Sequence, residues 1–445
     1  MSKTRSKNKS PKRPPSREKT STREQEANAA SSKAAVDTAS STKGKPRFRR
    51  RTKIILTALL CVLGWLAYRS VEVYRLRKMA WDAAEARQAG DWKRLEAICS
   101  RWGKSDPHTA IPWILAAEAA ERQSTMKRAA AYLEQLPPEA PQTPDMLLQL
   151  ATIYFGTLNE PLKGEATYHR ALEIDPLFKE GHRRLIFHYG ITLQRVKMAQ
   201  QARLAIQLDC DFPETYVYLM GANWLTFSNA YEFNGKWLQS GTNDELFQVA
   251  QLVHWAGASG LENTSADVEE VDSTRAKNAQ HRQLLNECFK KYPTNPELLA
   301  YFLKQETIQG NVEAVEKLLA DVPAEAAEDN RFWHFKGWLH ATRDELEDAE
   351  ACYRKALELN PYAWESQFEL AGVLRKSQRF DEVETLTALY LEGKALRKTI
   401  LQLPDVQSVP PPVLTQMHHY AVGCGDTEVA QHLAKRIEQI QFGGN

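Results

Sequence analysis

The sequence predicts an all-α protein: an α-solenoid of helix–turn–helix repeats, preceded by a disordered basic tail and a single transmembrane helix. Three observations carry this. Residues 349–361 (AEACYRKALELNP) repeat residues 164–176 (GEATYHRALEIDP), with seven of thirteen positions identical. Pro107 and Pro141 lie 34 residues apart, Pro176 follows after 35, and Cys210 takes the equivalent place after another 34. Residues 54–68 carry no charge. A fixed period near 34 signals stacked helical pairs, each too small to bury its apolar face alone.

The tail comes first. Residues 1–53 hold 17 Lys/Arg and 4 Asp/Glu, whereas the rest of the chain holds 41 and 52, so a formal charge of +2 conceals a basic tail on a mildly acidic body. The tail has almost nothing bulky and apolar to offset an ordering cost of about 1–2 kcal/mol per residue. Its charge suits anionic lipid headgroups. It lacks a series of interleaved aromatic residues on which bases could stack, which argues against nucleic acid as a partner.

Residues 54–74 are the expected anchor, through which the protein meets the membrane. The run from Ile54 to Tyr68 has one hydroxyl, Thr57. Its fifteen residues would rise about 22 Å as a helix, short of a hydrocarbon core of about 30 Å. Lys53 and Arg69 can snorkel, Trp65 and Tyr68 suit the interface, and Val71 and Val73 extend the apolar face. A core helix would not follow a disordered tail. A signal peptide would have a far shorter basic region and a small-residue cleavage site. Seven Lys/Arg fall in the fifteen residues before Ile54 and four in the fifteen after Tyr68. That bias places the N-terminus in the cytoplasm and exports the body.

Repeats are expected over residues 75–221 and 281–445, separated by an irregular helical segment at 222–280. The clearest unit is WHFKGWLHATRDELEDAEACYRKALELNP. Trp333, Gly337 and His340 share one face of a first helix, and Asp344 falls in the turn. Ala349, Tyr353 and Ala356 line the second helix, which Pro361 closes because it has no N–H to donate. Small residues let antiparallel helices approach, so Gly337 is expected opposite Ala349. In the N-terminal half, Gly90 and Asp91 form a turn. Trp113, Ala117 and Ala120 then pair with Ala129, Leu133 and Leu136. Leu148, Ala151 and Phe155 precede Gly164, Tyr168 and Ala171, and Leu185, Ile186 and Tyr189 precede Ala202 and Ala205. In the middle, TNDELFQVAQLVHWAGAS reads as one amphipathic helix capped by Thr242 or Asn243, and SGLENTSADVEEVDSTR as an acidic loop. Leu370, Ala371 and Leu374 continue the pattern, SVPPPV breaks it, and Gly425 and Asp426 turn a last helical pair. A step back from Pro361 meets Pro323 only loosely, so the array is not uniform.

The ordered pattern Trp333, Gly337, His340, Ala349, Tyr353, Ala356 and Pro361 resembles the tetratricopeptide repeat (TPR). It departs from the family at Lys336, usually Leu, and at His340, usually Tyr. About nine such units would cover most of residues 76–444. The resemblance implies a curved array whose first helices line a concave side that binds partner proteins or peptides. On that side the spacing puts Arg331, His334 and Trp338, with Glu118, Arg183, Phe187, Trp224, Phe368 and Arg375 at equivalent positions. Aromatic and arginine residues are what such surfaces favour. For Trp338 and Phe187, packing between helices is an equal alternative. The paired Lys and Asn with which some TPR domains grip a C-terminal carboxylate are not found.

Chemistry is not indicated. The sequence has no GxxxxGK[ST] and no HExxH. Its six cysteines are scattered one per region, and His418 and His419 point about 100° apart on a helix, so neither set suggests a metal. The expectation is no cofactor and no catalysis. Asn263-Thr264-Ser265 is a glycosylation sequon in the acidic loop. With its anchor, the chain resembles bacterial inner-membrane proteins that display a TPR domain in the periplasm. The alternative is a cytosol-facing receptor, like the anchored receptors of the mitochondrial outer membrane, or a non-catalytic subunit of a membrane complex.

Overall fold

The computed structural model describes residues 48–241, 243–258 and 272–442. The basic tail up to residue 47, Thr242 and residues 259–271 of the acidic loop, with its sequon, lie outside these residues, whereas the last four residues of that loop, Asp272 to Arg275, are helical. The chain divides into two compact units, residues 1–69 and 70–445.

In the first unit, the described residues are the start of helix α1 (Phe48–Gln88). Its apolar side chains stand in the open: Ile54, Leu60 and Trp65 are 65, 62 and 60% exposed. From Lys53 onward it is the one helix among the described residues long and apolar enough to cross a membrane. About twenty helical residues span a hydrocarbon core, and the unbroken continuation past Tyr68 supplies the length that the uncharged run lacks. Thr57 Oγ1 donates to the Lys53 carbonyl at 2.9 Å, which satisfies the single hydroxyl within the helix itself.

The second unit is built of helical hairpins, with no strand among its described residues. The end of α1 packs on α2 (Trp92–Ser105) through Ala83, Ala86 and Leu95. Three hairpins follow: α3 (Ala110–Arg122) with α4 (Met126–Leu133), α5 (Thr143–Ile153) with α6 (Pro161–Ile174), and α7 (Lys179–Ile191) with α8 (Arg195–Gln207). The middle holds α9 (Pro213–Met220), α10 (Ala230–Leu238), α11 (Asp244–Ala258) and α12 (Asp272–Lys291). Four more hairpins complete the unit: α13 (Pro296–Gln309) with α14 (Val312–Ala320), α15 (Asn330–Thr342) with α16 (Leu346–Leu359), α17 (Trp364–Lys376) with α18 (Phe380–Leu401), and α19 (Pro411–Gly423) with α20 (Thr427–Phe442).

The hairpins share one turn. Apart from the last, which turns at Gly425 (φ 75°), each passes through a residue with φ between 54° and 72°: Gly90 before α2, Ser124, Asn159 and Leu193, then Gly310, Asp344 and Gln378. These positions recur at intervals of 34 or 35 within each run. The left-handed conformation frees a helix to reverse, and glycine adopts it without the penalty that a Cβ brings.

Several local expectations are changed by the structure. Gly337 stands not against Ala349 but against the ring of Tyr353, where a Cβ would sit 2.8 Å from the ring carbons. Gly164 has Phe155 in that role, with a Cβ at 2.5 Å. Pro411 and Pro412 do not break the chain. They open α19, where the missing N–H groups cost nothing. Asn243 takes up the capping role, its Oδ1 accepting from Leu246 N–H at 3.1 Å. Pro323 falls out of step because α14 is only nine residues long and a 3₁₀ turn, Ala324–Glu328, fills the remainder. The first helices nevertheless keep step: α13, α15 and α17 begin at 296, 330 and 364, each 34 after the last.

The second unit folds back on itself. One apolar cluster contains Leu185, Tyr216 and Leu219 from its N-terminal half and Tyr362, Leu414, Tyr420 and Leu433 from its C-terminal half. Around it, Arg436 Nη2 donates to Asp211 Oδ2 at 2.8 Å, and Arg203 Nη2 and Tyr362 Oη donate to Asp426 Oδ2 at 2.9 and 2.8 Å. Helices α10 to α18 therefore leave the cluster and return to it, bringing residues 195–226 and 297–390 around a common cleft.

Candidate functional site: a cleft lined by successive first helices

The cleft has a volume of about 380 Å³. Three first helices form one side, and their 34-residue step explains which residues reach it. Glu297, Arg331 and Glu365 are equivalent positions on α13, α15 and α17. So are Ala300, His334 and Phe368, and so are Tyr301, Phe335 and Glu369; all nine line the cleft. Arg195 from α8, Trp224 and Thr226 from the turn after α9, and Tyr390 from α18 also line it.

Its floor is charged and closed. Asn295 caps α13 by accepting from Glu297 N–H at 3.0 Å and Leu298 N–H at 3.3 Å, and this places Glu297 in the first helical turn. Asp329 does the same for Arg331 N–H at 3.0 Å on α15. Glu297 Oε2 then accepts from Arg195 Nε at 3.0 Å and Arg331 Nη1 at 3.1 Å. Arg331 also reaches Asp329, with Nη2 2.6 Å from Oδ2. Arg195 Nη1 donates to the Ala222 and Leu225 carbonyls, at 2.7 and 3.1 Å. Burial disfavours the Glu297 carboxylate, but Arg331 and Arg195 outweigh it and hold the carboxyl below its usual range. Both guanidiniums are paired with buried carboxylates, so the floor fixes the helices rather than offering net charge to a ligand.

The wall is aromatic. The Phe368 and Tyr390 rings lie 4.8 Å apart between centroids, and Trp364 and Tyr390 5.8 Å apart. Arg397 sits 5.4 Å over the Trp224 ring. Ile308 and Phe368, 66 and 52% exposed, stand at the open side. His334 Nδ1 is 2.9 Å from Ser366 Oγ, and burial lowers its pKa to about 4, so the ring is neutral at pH 7.

Of the residues assigned from the sequence, the structure brings Arg331, His334, Trp224 and Phe368 together here. It places the others elsewhere. Trp338 packs, half-buried, against the cluster of Leu299, Val315 and Phe335. Phe187 packs against the central cluster beside Phe227. Arg183 pairs with Glu214 at 2.6 Å and covers the Phe212 ring at 4.8 Å. Glu118 pairs with Arg87 at 3.0 Å, and Arg375 is exposed near the end of α17. The sequence reading missed Glu297, Glu369 and Tyr390. Glu297 was within reach, since it lies 34 residues before Arg331, but Glu369 steps onto Phe335 and Tyr301, which were not assigned either, and Tyr390 belongs to a second helix and has no such signal.

Elsewhere, carboxylates of Asp209 and Asp211 approach His432. Lys435 and Arg436 already neutralise them at 2.7 and 2.8 Å, which leaves little charge to draw a cation.

Residues 331–362 match the tetratricopeptide repeat family model. The chain carries a tetratricopeptide repeat at these residues. Among solved structures it is similar to a tetratricopeptide repeat protein from Parabacteroides merdae (13% identity, 67% of this chain and 99% of that one, TM-score 0.25). It is similar also to the APC/C hetero-tetramer Cut9–Hcn1 (12%, 82% and 73%, 0.31) and to yeast Tom70 (13%, 81% and 91%, 0.24). At these identities and TM-scores nothing of those proteins' partners carries over. Comparison of the sequence with curated proteins gives no match.

Proposed function

We propose that this protein is a membrane-anchored TPR interaction scaffold that holds a segment of a partner protein in the cleft between α13, α15 and α17. The observation that supports the binding reading is the cleft itself. It combines an open aromatic wall with a floor whose charges satisfy one another, so it offers contact area without an unpaired guanidinium. The cleft does hold a hydroxyl beside an imidazole, Ser366 and His334, but Ser366 is buried and burial lowers the His334 pKa to about 4, which makes the ring a poor base, so the role we propose is binding.

The anchor reading rests on the exposed apolar helix from Lys53. With Lys53 and the arginines before it on one side, the N-terminus lies in the cytoplasm and residues 76–442 on the opposite side of the membrane. A bacterial inner membrane with the repeats in the periplasm fits this arrangement. The basic tail adds contact with anionic lipid.

The binding reading is tested by placing a photo-crosslinking phenylalanine analogue at Phe368, in the cleft, and at Phe380, which is 62% exposed on α18. Capture of the same protein at 368 but not at 380 supports it. Equal capture at both overturns it. Leu60→Arg tests the anchor: at mid-span it should cost about 2.5–3.5 kcal/mol of insertion and release the protein from alkali-washed membranes. Protease access to the repeats in sealed cells decides sidedness.

A further inference from the structure

Glu369 is the one ionisable group of the cleft's aromatic side that is left without compensation. It is half-buried, and among the described residues it has neither an ion-pair nor a hydrogen-bond partner. Burial raises its pKa, with no cation close enough to lower it. The nearby cations are committed: Arg195 and Arg331 to Glu297, Asp329 and two carbonyls, and Lys304 to contacts of its own. Glu369 lines the same cleft as Trp364, Phe368 and Tyr390, whose rings form its aromatic wall.

This wall already accepts one cation: Lys394 holds its ammonium 5.5 Å from the Tyr390 centroid. A carboxylate next to aromatic faces is the chemistry that accepts a lysine or arginine: the alkyl stem lies along the rings and the head meets the acid. An uncompensated carboxylate in a half-buried place costs free energy when the cleft is empty, and a cation from outside would recover it.

On the reading that the cleft binds a partner segment, we infer that the segment is basic: it places an arginine or lysine side chain on the Trp364–Phe368–Tyr390 wall with its charge at Glu369. The cleft thus selects its partner by charge at one position and by apolar contact around it. A segment with Asp or Glu at that place would be rejected, because two carboxylates would share one desolvated site.

The test uses the full chain in lipid nanodiscs and a phage-displayed library of random 12-residue peptides. Wild type, Glu369→Gln, Glu369→Lys and Phe368→Ala are panned in parallel, after melting curves confirm that each variant folds. The expected result is that wild type enriches peptides with Arg or Lys beside an aliphatic or aromatic residue. A synthetic peptide of that consensus should lose at least tenfold in affinity on Glu369→Gln and weaken as pH falls and Glu369 takes up a proton. Glu369→Lys should enrich acidic peptides instead. If the enriched peptides depend on Phe368 but show no basic preference and bind Glu369→Gln as well as wild type, the inference is overturned and the binding cleft stands. If no peptide depends on Phe368, both fail.

Discussion

The repeat formed by α15 and α16 and the segment between Ile191 and Ala258 hold their shape by different means. In the first, the contacts are apolar and depend on shape. Ala349, Tyr353 and Ala356 are fully buried, Gly337 makes room for the Tyr353 ring, and the Tyr353 hydroxyl is buried without a partner. In the second, buried polar groups do the joining. Asn234 donates to the Ile191 and Ala230 carbonyls at 2.7 and 2.8 Å. His254 accepts on Nδ1 from Phe227 N–H at 3.1 Å, which puts its proton on Nε2, 3.0 Å from the Ile191 carbonyl. Trp237 Nε1 donates to the Phe155 carbonyl at 3.1 Å. Where the 34-residue step is kept, a regular neighbour covers each helix and apolar fit suffices. Where it is lost, helix ends and turns leave carbonyls that only side chains can satisfy, since a buried unpaired group costs about 1–3 kcal/mol.

The largest test of this contrast is Tyr353→Ala. Loss of a fully buried ring from a tight helix pair should cost about 3–5 kcal/mol. Hydrogen exchange should speed up throughout α15 to α18, because each repeat buries its face on the next. Exchange rates unchanged beyond α16 would mean that the repeats are not coupled in this way.

Asn234→Ala should come next, at about 1–3 kcal/mol, although it removes far less apolar surface than Tyr353→Ala. The Ala230 carbonyl loses its extra donor and Ile191 keeps only His254. The loss should appear as faster exchange in α10 and α11, with α15 and α16 unaffected. A cost near that of a surface substitution would show that the polar joints are dispensable.

Acid should act on both regions below about pH 6.5, on the repeat through His334 down to about pH 4 and on the irregular segment through His254 over a wider range. Burial, helped by the charge of Arg195, lowers the His254 pKa from 6.5 to about 3. A folded-state pKa below the unfolded one means that the stability is fully present above about pH 6.5. It is then lost, at about 1.4 kcal/mol per pH unit, as the unfolded chain takes up the proton and pH falls toward the folded value. His254 and His334 should each contribute this slope to denaturation midpoints between pH 6.5 and 4, and His254→Gln, which can still accept and donate, should remove the first share only.

The smallest effect is expected from Tyr353→Phe. Removing a buried hydroxyl that has no partner should be neutral or stabilise by up to about 1 kcal/mol. The equivalent removal at Tyr216, whose hydroxyl donates to Asp211 Oδ2 at 2.9 Å, should destabilise instead. Thermal melting of the two variants side by side distinguishes a hydroxyl retained by packing from one that holds the closure.

Much of the repeat architecture was legible because its signals are local. A small residue at a close approach, a left-handed turn every 34 residues and a proline at a helix start act through the nearest neighbours in the chain, so Trp333 to Pro361 could be read as a helix pair from the spacing alone. The site was legible only in part. Arg331, His334, Phe368 and Trp224 share the cleft, but Trp338, seven residues after Arg331 on the same helix, packs into a neighbouring cluster. Which side of a first helix stays open depends on how much each repeat rotates against the last, and that rotation is set by contacts the spacing does not contain.

By itself, then, the sequence determined the all-helical class, the hairpin period, the basic tail and the single long apolar helix, because charge, hydropathy and turn chemistry act over a few residues. The tertiary structure alone decided that Arg203 meets Asp426 and Arg436 meets Asp211, more than 220 residues apart. It also decided that Glu297 is shared by two arginines from different halves and that Glu369 is left without a cation. Those outcomes follow from the curvature accumulated over many hairpins. Each hairpin contributes a small rotation fixed by side-chain packing, and only their sum determines which distant charges come together.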